Sequence, residues 1–214
     1  MPGQDNKWYI AECKPTKERT LRSSLERAGY TVYVASQRET RVYASRNRHE
    51  VEKVVIPGKI FINTTESGIW NILLDYPGIY RFMINRAAAD HEKGKRVYAH
   101  VSEAEMQQLQ YVLNNAPNPV MFTANGLTLG QQIEVARGPL KGLRGELAKI
   151  ENVTCIVLKM EMGERNYVFT EISIQDVKPL DIQQYIKLEL DSEDRKRFDI
   201  SQRVVRAALE GLGN

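Results

Sequence analysis

The sequence predicts an α+β protein: an antiparallel sheet flanked by helices, followed by a small antiparallel β-barrel and a helical C-terminal tail. Three observations carry that prediction. Short β-prone runs alternate with amphipathic helical stretches up to residue 113. An Asn/Pro-rich break follows, Asn114-Asn115-Ala116-Pro117-Asn118-Pro119. Beyond it the texture changes to closely spaced short strands with turn signals, and then to one last amphipathic stripe. The expected division is a first domain over residues 1–113, a linker over 114–125, a barrel domain over 126–180 and a tail over 181–214.

Element by element, Lys7-Trp8-Tyr9-Ile10-Ala11-Glu12-Cys13 reads as a buried strand. Leu21, Leu25 and Ala28 fall at helical spacing, with Thr16 as the expected cap and Gly29 as the stop. Arg19, Arg22, Ser23 and Arg27 then point away from that stripe. Tyr30, Val32 and Val34 alternate as a strand. Residues 37–55 read as two β-prone segments around an exposed tip, Ala44-Ser45-Arg46-Asn47-Arg48-His49. Pro57-Gly58 breaks the apolar run 54–62, because proline cannot donate to a ladder. Ile69, Trp70, Leu73 and Leu74 have helical spacing, and Ile79 to Ile84 reads as a strand. Ser102-Glu103-Ala104-Glu105 is a capping box that opens a helix through Met106, Leu109 and Leu113. The barrel strands are expected at Gln132–Val135, Gly145–Glu151, Thr154–Met160 and Tyr167–Glu171. In the tail, Asp191-Ser192 can cap a helix whose stripe is Phe198, Val205, Leu209 and Leu212.

Composition narrows the function classes. No run approaches the roughly 20 apolar residues that span a bilayer, the first residues lack the pattern of a signal peptide, and Cys13 and Cys155 lie far apart. A cytoplasmic protein with no membrane association and no disulfide framework is expected. Net charge is +3, but 11 Lys/Arg face 5 Asp/Glu between Lys14 and Lys59, against 7 and 7 from Gly126 to Leu180. A localised basic excess suits a nucleic-acid neighbour; taken alone, it also suits an ordinary solvated face. His49, His91 and His100 have no metal-ligand spacing, and no nucleotide-binding or catalytic fingerprint is present. Neither an enzyme nor a cofactor is expected; the reading is of a binding protein.

Four segments in order resemble the NusG family of transcription elongation factors: the Trp8-Tyr9 strand, Ile56-Pro57-Gly58-Lys59-Ile60-Phe61-Ile62, Tyr76-Pro77-Gly78-Ile79-Tyr80-Arg81-Phe82, and the run from Gly130 to Gly145. The last is similar to the KOW motif, in which a strand, a tight Gly-Pro turn and a glycine at a close approach begin an SH3-like barrel. Within the family, Cys13-Lys14 is similar to RfaH. Gln37-Arg38-Glu39-Thr40-Arg41, Glu52-Lys53-Val54-Val55-Ile56-Pro57 and Arg137-Gly138-Pro139-Leu140-Lys141-Gly142-Leu143 look like the UpxY antiterminators of Bacteroides-type bacteria, which act on capsular polysaccharide operons. The tail has no counterpart in ordinary NusG.

The resemblance implies three surfaces. A groove on the first domain would grip the clamp helices of RNA polymerase, with Ile56 in it and Pro57 and Lys59 adjacent; the family's usual aromatics are absent at the Ile56 and Lys59 positions. Read from the residues alone, Ile56 is as well a core residue beside a strand break. Lys14, with Arg19, Ser23 and Arg27 on the following helix, would face the non-template DNA strand, and Arg46 and Arg48 would reach DNA from the hairpin tip. On the barrel, Leu140, Leu143 and Met162 align with positions that in NusG touch Rho or the ribosomal protein that doubles as NusE, and Leu140 and Leu143 are expected exposed on a turn. The tail could pack on a domain, mediate dimerisation or bind a partner; the oligomeric state is open. Two other readings remain: a housekeeping NusG acting on all operons, and a ribosome-associated KOW protein binding RNA.

Overall fold

The first sheet is built around β1 (Lys7–Cys13), whose successive side chains serve opposite faces. The computed structural model describes residues 6–42, 48–85, 88, 97–124, 127–163 and 165–180. In chain order, β1 is followed by α1 (Glu18–Arg27), β2 (Thr31–Tyr33), β3 (Ser36–Val42), β4 (Arg48–Val54), β5 (Lys59–Thr64), α2 (Glu66–Asp75), β6 (Ile79–Phe82), β7 (His100–Val101) and α3 (Glu103–Asn115). Then come β8 (Met121–Thr123), β9 (Gln132–Val135), β10 (Arg144–Ile150), β11 (Val153–Glu161), β12 (Arg165–Glu171), a 3₁₀ turn (Ile174–Asp176) and β13 (Val177–Pro179). The first sheet runs β2-β5-β1-β6, and β7 pairs with the opening residues of β1. β3 and β4 form a separate hairpin, and the second sheet runs β13-β9-β10-β11-β12-β8. All these pairs are antiparallel.

Pairing is local to each half of the chain, but the core is not. On one face of the first sheet, Tyr9, Ala11 and Cys13 meet Ile60 and Ile62 under Leu25 of α1 and Ile69 and Ile72 of α2. On the other face, Trp8, Ile10 and Phe61 join Met106, Leu109, Val112 and Leu113 of α3. The same cluster continues without a gap into Ile133, Val135, Ile156, Leu158 and Val168 of the second sheet. α3 is therefore sandwiched between the two sheets. Its capping box forms as its sequence requires: the Glu105 amide donates to Ser102 Oγ at 3.2 Å, and the Ser102 amide donates to Glu105 Oε2 at 2.9 Å. Trp8 Nε1 donates to Glu103 at 2.7 Å, tying β1 to the start of the same helix.

Several expectations need correction. Thr16 does not cap α1: it sits at φ +78 in the preceding turn, and Lys17 occupies the cap position without a side-chain bond. In α2 the buried stripe is Ile69 and Ile72, whereas Trp70 is 61% and Leu74 80% exposed. Ile56 is a fully buried core residue; Leu140 and Leu143 are buried, not exposed, and Met162 is buried too. The two leucines turn inward because the Gly138–Gly142 turn lies against α3, whose Tyr111 hydroxyl donates to the carbonyls of Pro139 (3.1 Å) and Lys141 (3.0 Å). Gly145 fits the close approach expected of it, since a Cβ there would stand 2.5 Å from the Val157 carbonyl oxygen. The four expected strands of the second half are β9 to β12; β13 and β8 end the described pairings, so closure into a barrel is not among them. The helical tail expected over 181–214, the hairpin-tip residue Arg46 and His91 lie outside the described residues.

Candidate functional site

The turns before α1 and before β5 are built against each other. Gly58, at φ +70, presents its amide to the carboxylate of Glu18 at 2.7 Å, and the Cys13 amide donates to the Gly58 carbonyl at 3.0 Å. A Cβ at Gly58 would sit a tight 3.1 Å from the Cys13 carbonyl oxygen, which together with the positive φ favours glycine here. Glu18 is itself buried. This arrangement holds Lys14 and Pro57, both exposed, on the two turns that meet there. The Cys13 thiol beneath is pushed up to about 11 by burial and the nearby Glu18 carboxylate, against a smaller opposing pull from Lys59.

Lys59 is half-buried and does not stand alone. It pairs with Glu12, directly opposite it on β1, and Glu12 is also bound by Arg81 from β6. Burial pushes the Glu12 carboxyl up, but hydrogen bonds from Lys59 and Arg81 outweigh it and hold the group below the usual carboxylate value. With Pro57, Phe82 and Met83, this trio lines a cleft of about 350 Å³ whose other wall is Phe122 and Asn166 of the second sheet. Thus Pro57 and Lys59 share a concave site. Ile56 lies below it in the core rather than in its wall.

The outer face of α1 carries Arg19, Ser23 and Arg27 at i, i+4 and i+8, all exposed, as their spacing predicts. Arg27 Nε donates to the Ser23 carbonyl at 3.1 Å. Arg19 and the neighbouring Arg22 both reach Glu52 of the hairpin, at 3.4 and 3.3 Å. A hydrogen bond from Ser36, followed by the charges of Arg22 and Arg19, holds Glu52 below the usual carboxylate range against its partial burial. Arg48 begins β4 rather than capping the tip, opposite Val42. Leu140, Leu143 and Met162 join the core shared with α3.

Sequence reasoning missed Glu12, Glu18, Arg81 and Glu52. Each acts through a partner remote in the chain, so no local spacing marks it. A two-residue alternation placing Trp8, Ile10 and Glu12 on one face was the only available signal, and it names no partner.

Comparisons relate the first half of the chain to known proteins. Residues 6–110 match the sequence model of the NusG family, described as transcription termination factor NusG. Among solved structures, one of Thermotoga maritima NusG, described by its domain interaction, is similar at 16% identity, with a TM-score of 0.41, covering 82% of this chain and 98% of that one. A structure of the MjSpt4:Spt5 complex is similar at 13% identity and a TM-score of 0.26, covering 81% of this chain and 98% of that one. No curated protein sequence matches. No helix among the described residues is long and apolar enough to cross a membrane. Residues 6–110 are thus similar to the NusG family of transcription factors, over the stretch that the family model matches.

Proposed function

We propose that this chain is a specialised antiterminator of the UpxY type, an RfaH-like cytoplasmic factor that suppresses pausing and termination at capsular polysaccharide-type operons. The observation that carries the reading is the exposed cationic face of Lys14, Arg19 and Arg27 beside the Pro57–Lys59 cleft, within a domain that matches NusG. Pro57 and Lys59 contact the clamp helices of RNA polymerase, with Ile56 supporting them from the core. Lys14, Arg19 and Arg27 neutralise phosphates of the non-template strand, Ser23 adds a polar contact, and Arg46 and Arg48 extend the contact from the hairpin. Bridging the clamp across the nucleic-acid channel favours the elongating state over the opened, backtracked one; it is a population shift that needs no covalent chemistry.

Residues 126–180 act in this scheme as a KOW barrel for a NusE-type ribosomal protein or Rho. Because Leu140, Leu143 and Met162 are buried, such a partner reaches them only when the second sheet leaves α3. Single-round transcription through a capsular-operon leader tests the proposal: the full chain should shorten pauses and raise read-through. Genome occupancy separates the specialist from the housekeeping factor, since signal at one or a few operons supports the proposal and signal at all of them refutes it.

A further inference from the structure

Residues 116–120, expected to be part of a linker, are gripped from two sides. From the base of the hairpin, Gln37 Nε2 donates to the carbonyls of Ala116 (3.3 Å) and Asn118 (3.1 Å), while its Oε1 accepts from the Val120 amide at 2.9 Å. From β12, the Thr170 hydroxyl is shared between the carbonyls of Asn118 (3.4 Å) and Pro119 (3.2 Å). Asn118 Nδ2 returns a bond to the Glu171 carbonyl at 3.4 Å. Thr170 is fully buried and Val120 is buried. Pro117 and Pro119 restrict the backbone of the segment and remove two of its amide donors. One side chain from each flank therefore supplies bonds that a loose tether would take from water.

This bridge connects parts that share no strand pairing. The hairpin is a separate two-stranded sheet, and β12 lies inside the six-stranded one. The hairpin base is in turn fixed to α1, because Ser36, next to Gln37, bonds the Glu52 carboxylate that Arg19 and Arg22 also hold. A path of hydrogen bonds and ion pairs, with the Ser36–Gln37 peptide link within it, thus runs from α1 through Glu52 to the segment, and on through Thr170 into the second sheet.

We propose that residues 116–120 are a coupling strap, with Gln37 and Thr170 as its two clasps, that transmits a displacement of the β3–β4 hairpin to the second sheet. The hairpin cannot swing away from the second sheet without breaking the Gln37 bonds, and the second sheet cannot leave without breaking those of Thr170. The two clasps act in series, so opening either one breaks this hydrogen-bonded route between the sides. This inference goes beyond the proposed function and stands whatever partner grips the hairpin.

Hydrogen exchange on the full chain tests it with Gln37→Ala, Thr170→Val and the double variant. Gln37→Ala should speed exchange of the Val120 amide about tenfold, the scale of a lost hydrogen bond, and should also raise exchange over residues 165–171. Thr170→Val should raise exchange over residues 36–39, on the other side of the strap. The double variant should be no more labile than the more affected single variant, as two breaks in one series require. Gln37→Glu, which keeps an acceptor for Val120 but sets a carboxylate oxygen against the Ala116 and Asn118 carbonyls, should give the same pattern if the alanine variant is poorly folded. Changes confined to each variant's own side, and adding in the double variant, would overturn the strap.

Discussion

The two faces of β1 are both largely buried, but they are closed in different ways. The face of Tyr9, Ala11 and Cys13 is sealed by α1, α2 and strands from the first 82 residues. The face of Trp8, Ile10 and Glu12 is closed by α3 and then by a sheet that begins beyond residue 120. The first face is closed almost wholly within the first half of the chain, with Tyr98 packed at its edge. The second is a composite, apolar while α3 covers it and charged where that cover ends, at Glu12, Lys59 and Arg81. The lesson is that the candidate polymerase-facing cleft sits at the margin of an interdependent core, so changes there act on the fold as well as on binding.

The largest effect should come from Ile56→Asp, which places a carboxylate in the shared core without a partner. A loss of several kcal/mol, about 4, is expected, so thermal melts followed by circular dichroism should show a variant that is largely unfolded or has a greatly lowered Tm. An unchanged Tm would mean that Ile56 is not part of the closed face. Next come paired truncations. Leu109→Ala on the composite face and Ile72→Ala on the first face should each cost about 2–5 kcal/mol. Only Leu109→Ala should also raise hydrogen exchange in β9 to β11. Equal exchange in both variants would erase the distinction between the faces.

How much of this was legible in the sequence follows from the same contrast. Local features were: the Ser102–Glu105 capping box, the Pro57–Gly58 break, the outward run of Arg19, Ser23 and Arg27, and the close approach at Gly145 each depend on a few neighbouring residues. Inter-element contacts were not. Leu140 and Leu143 read as exposed because a Gly-Pro turn is ordinarily solvated; what buries them is α3, which comes from the other half of the chain. Trp70 and Leu74 fit a helical stripe as well as Ile69 and Ile72 do, and only the direction in which α2 docks decides between them. The Glu12–Lys59–Arg81 trio required the register of three strands.

Smaller effects sharpen the picture. Tyr111→Phe removes the hydroxyl that holds the Gly138–Gly142 turn, and should cost about 0.5–1.5 kcal/mol in denaturant unfolding; no change would mean that the turn is held by its leucines alone. Acid should weaken the ion-paired sites on both sheets. Glu12, Glu52 and Glu134 are held below their ordinary 4.5, Glu134 by hydrogen bonds from Lys178 and then Arg144. Their contribution is present above that value and disappears as pH falls through the lower folded values. Tm should therefore decline below about pH 4.5, and less so in Glu12→Gln. Trp70→Ala should be the mildest change, within about 0.5 kcal/mol of wild type, because most of the side chain is already in water.

Engagement of transcribing polymerase by the first domain, with α1 toward the non-template strand as proposed, can be measured as binding of the full chain to elongation complexes assembled with and without that strand. Retention on the complete complex is expected. Retention should fall when the non-template strand is omitted or salt is raised, and in Lys14→Glu and Arg27→Glu variants whose folding is unchanged. Binding to free RNA with no retention on polymerase, or retention indifferent to the strand, to salt and to both substitutions, would contradict it.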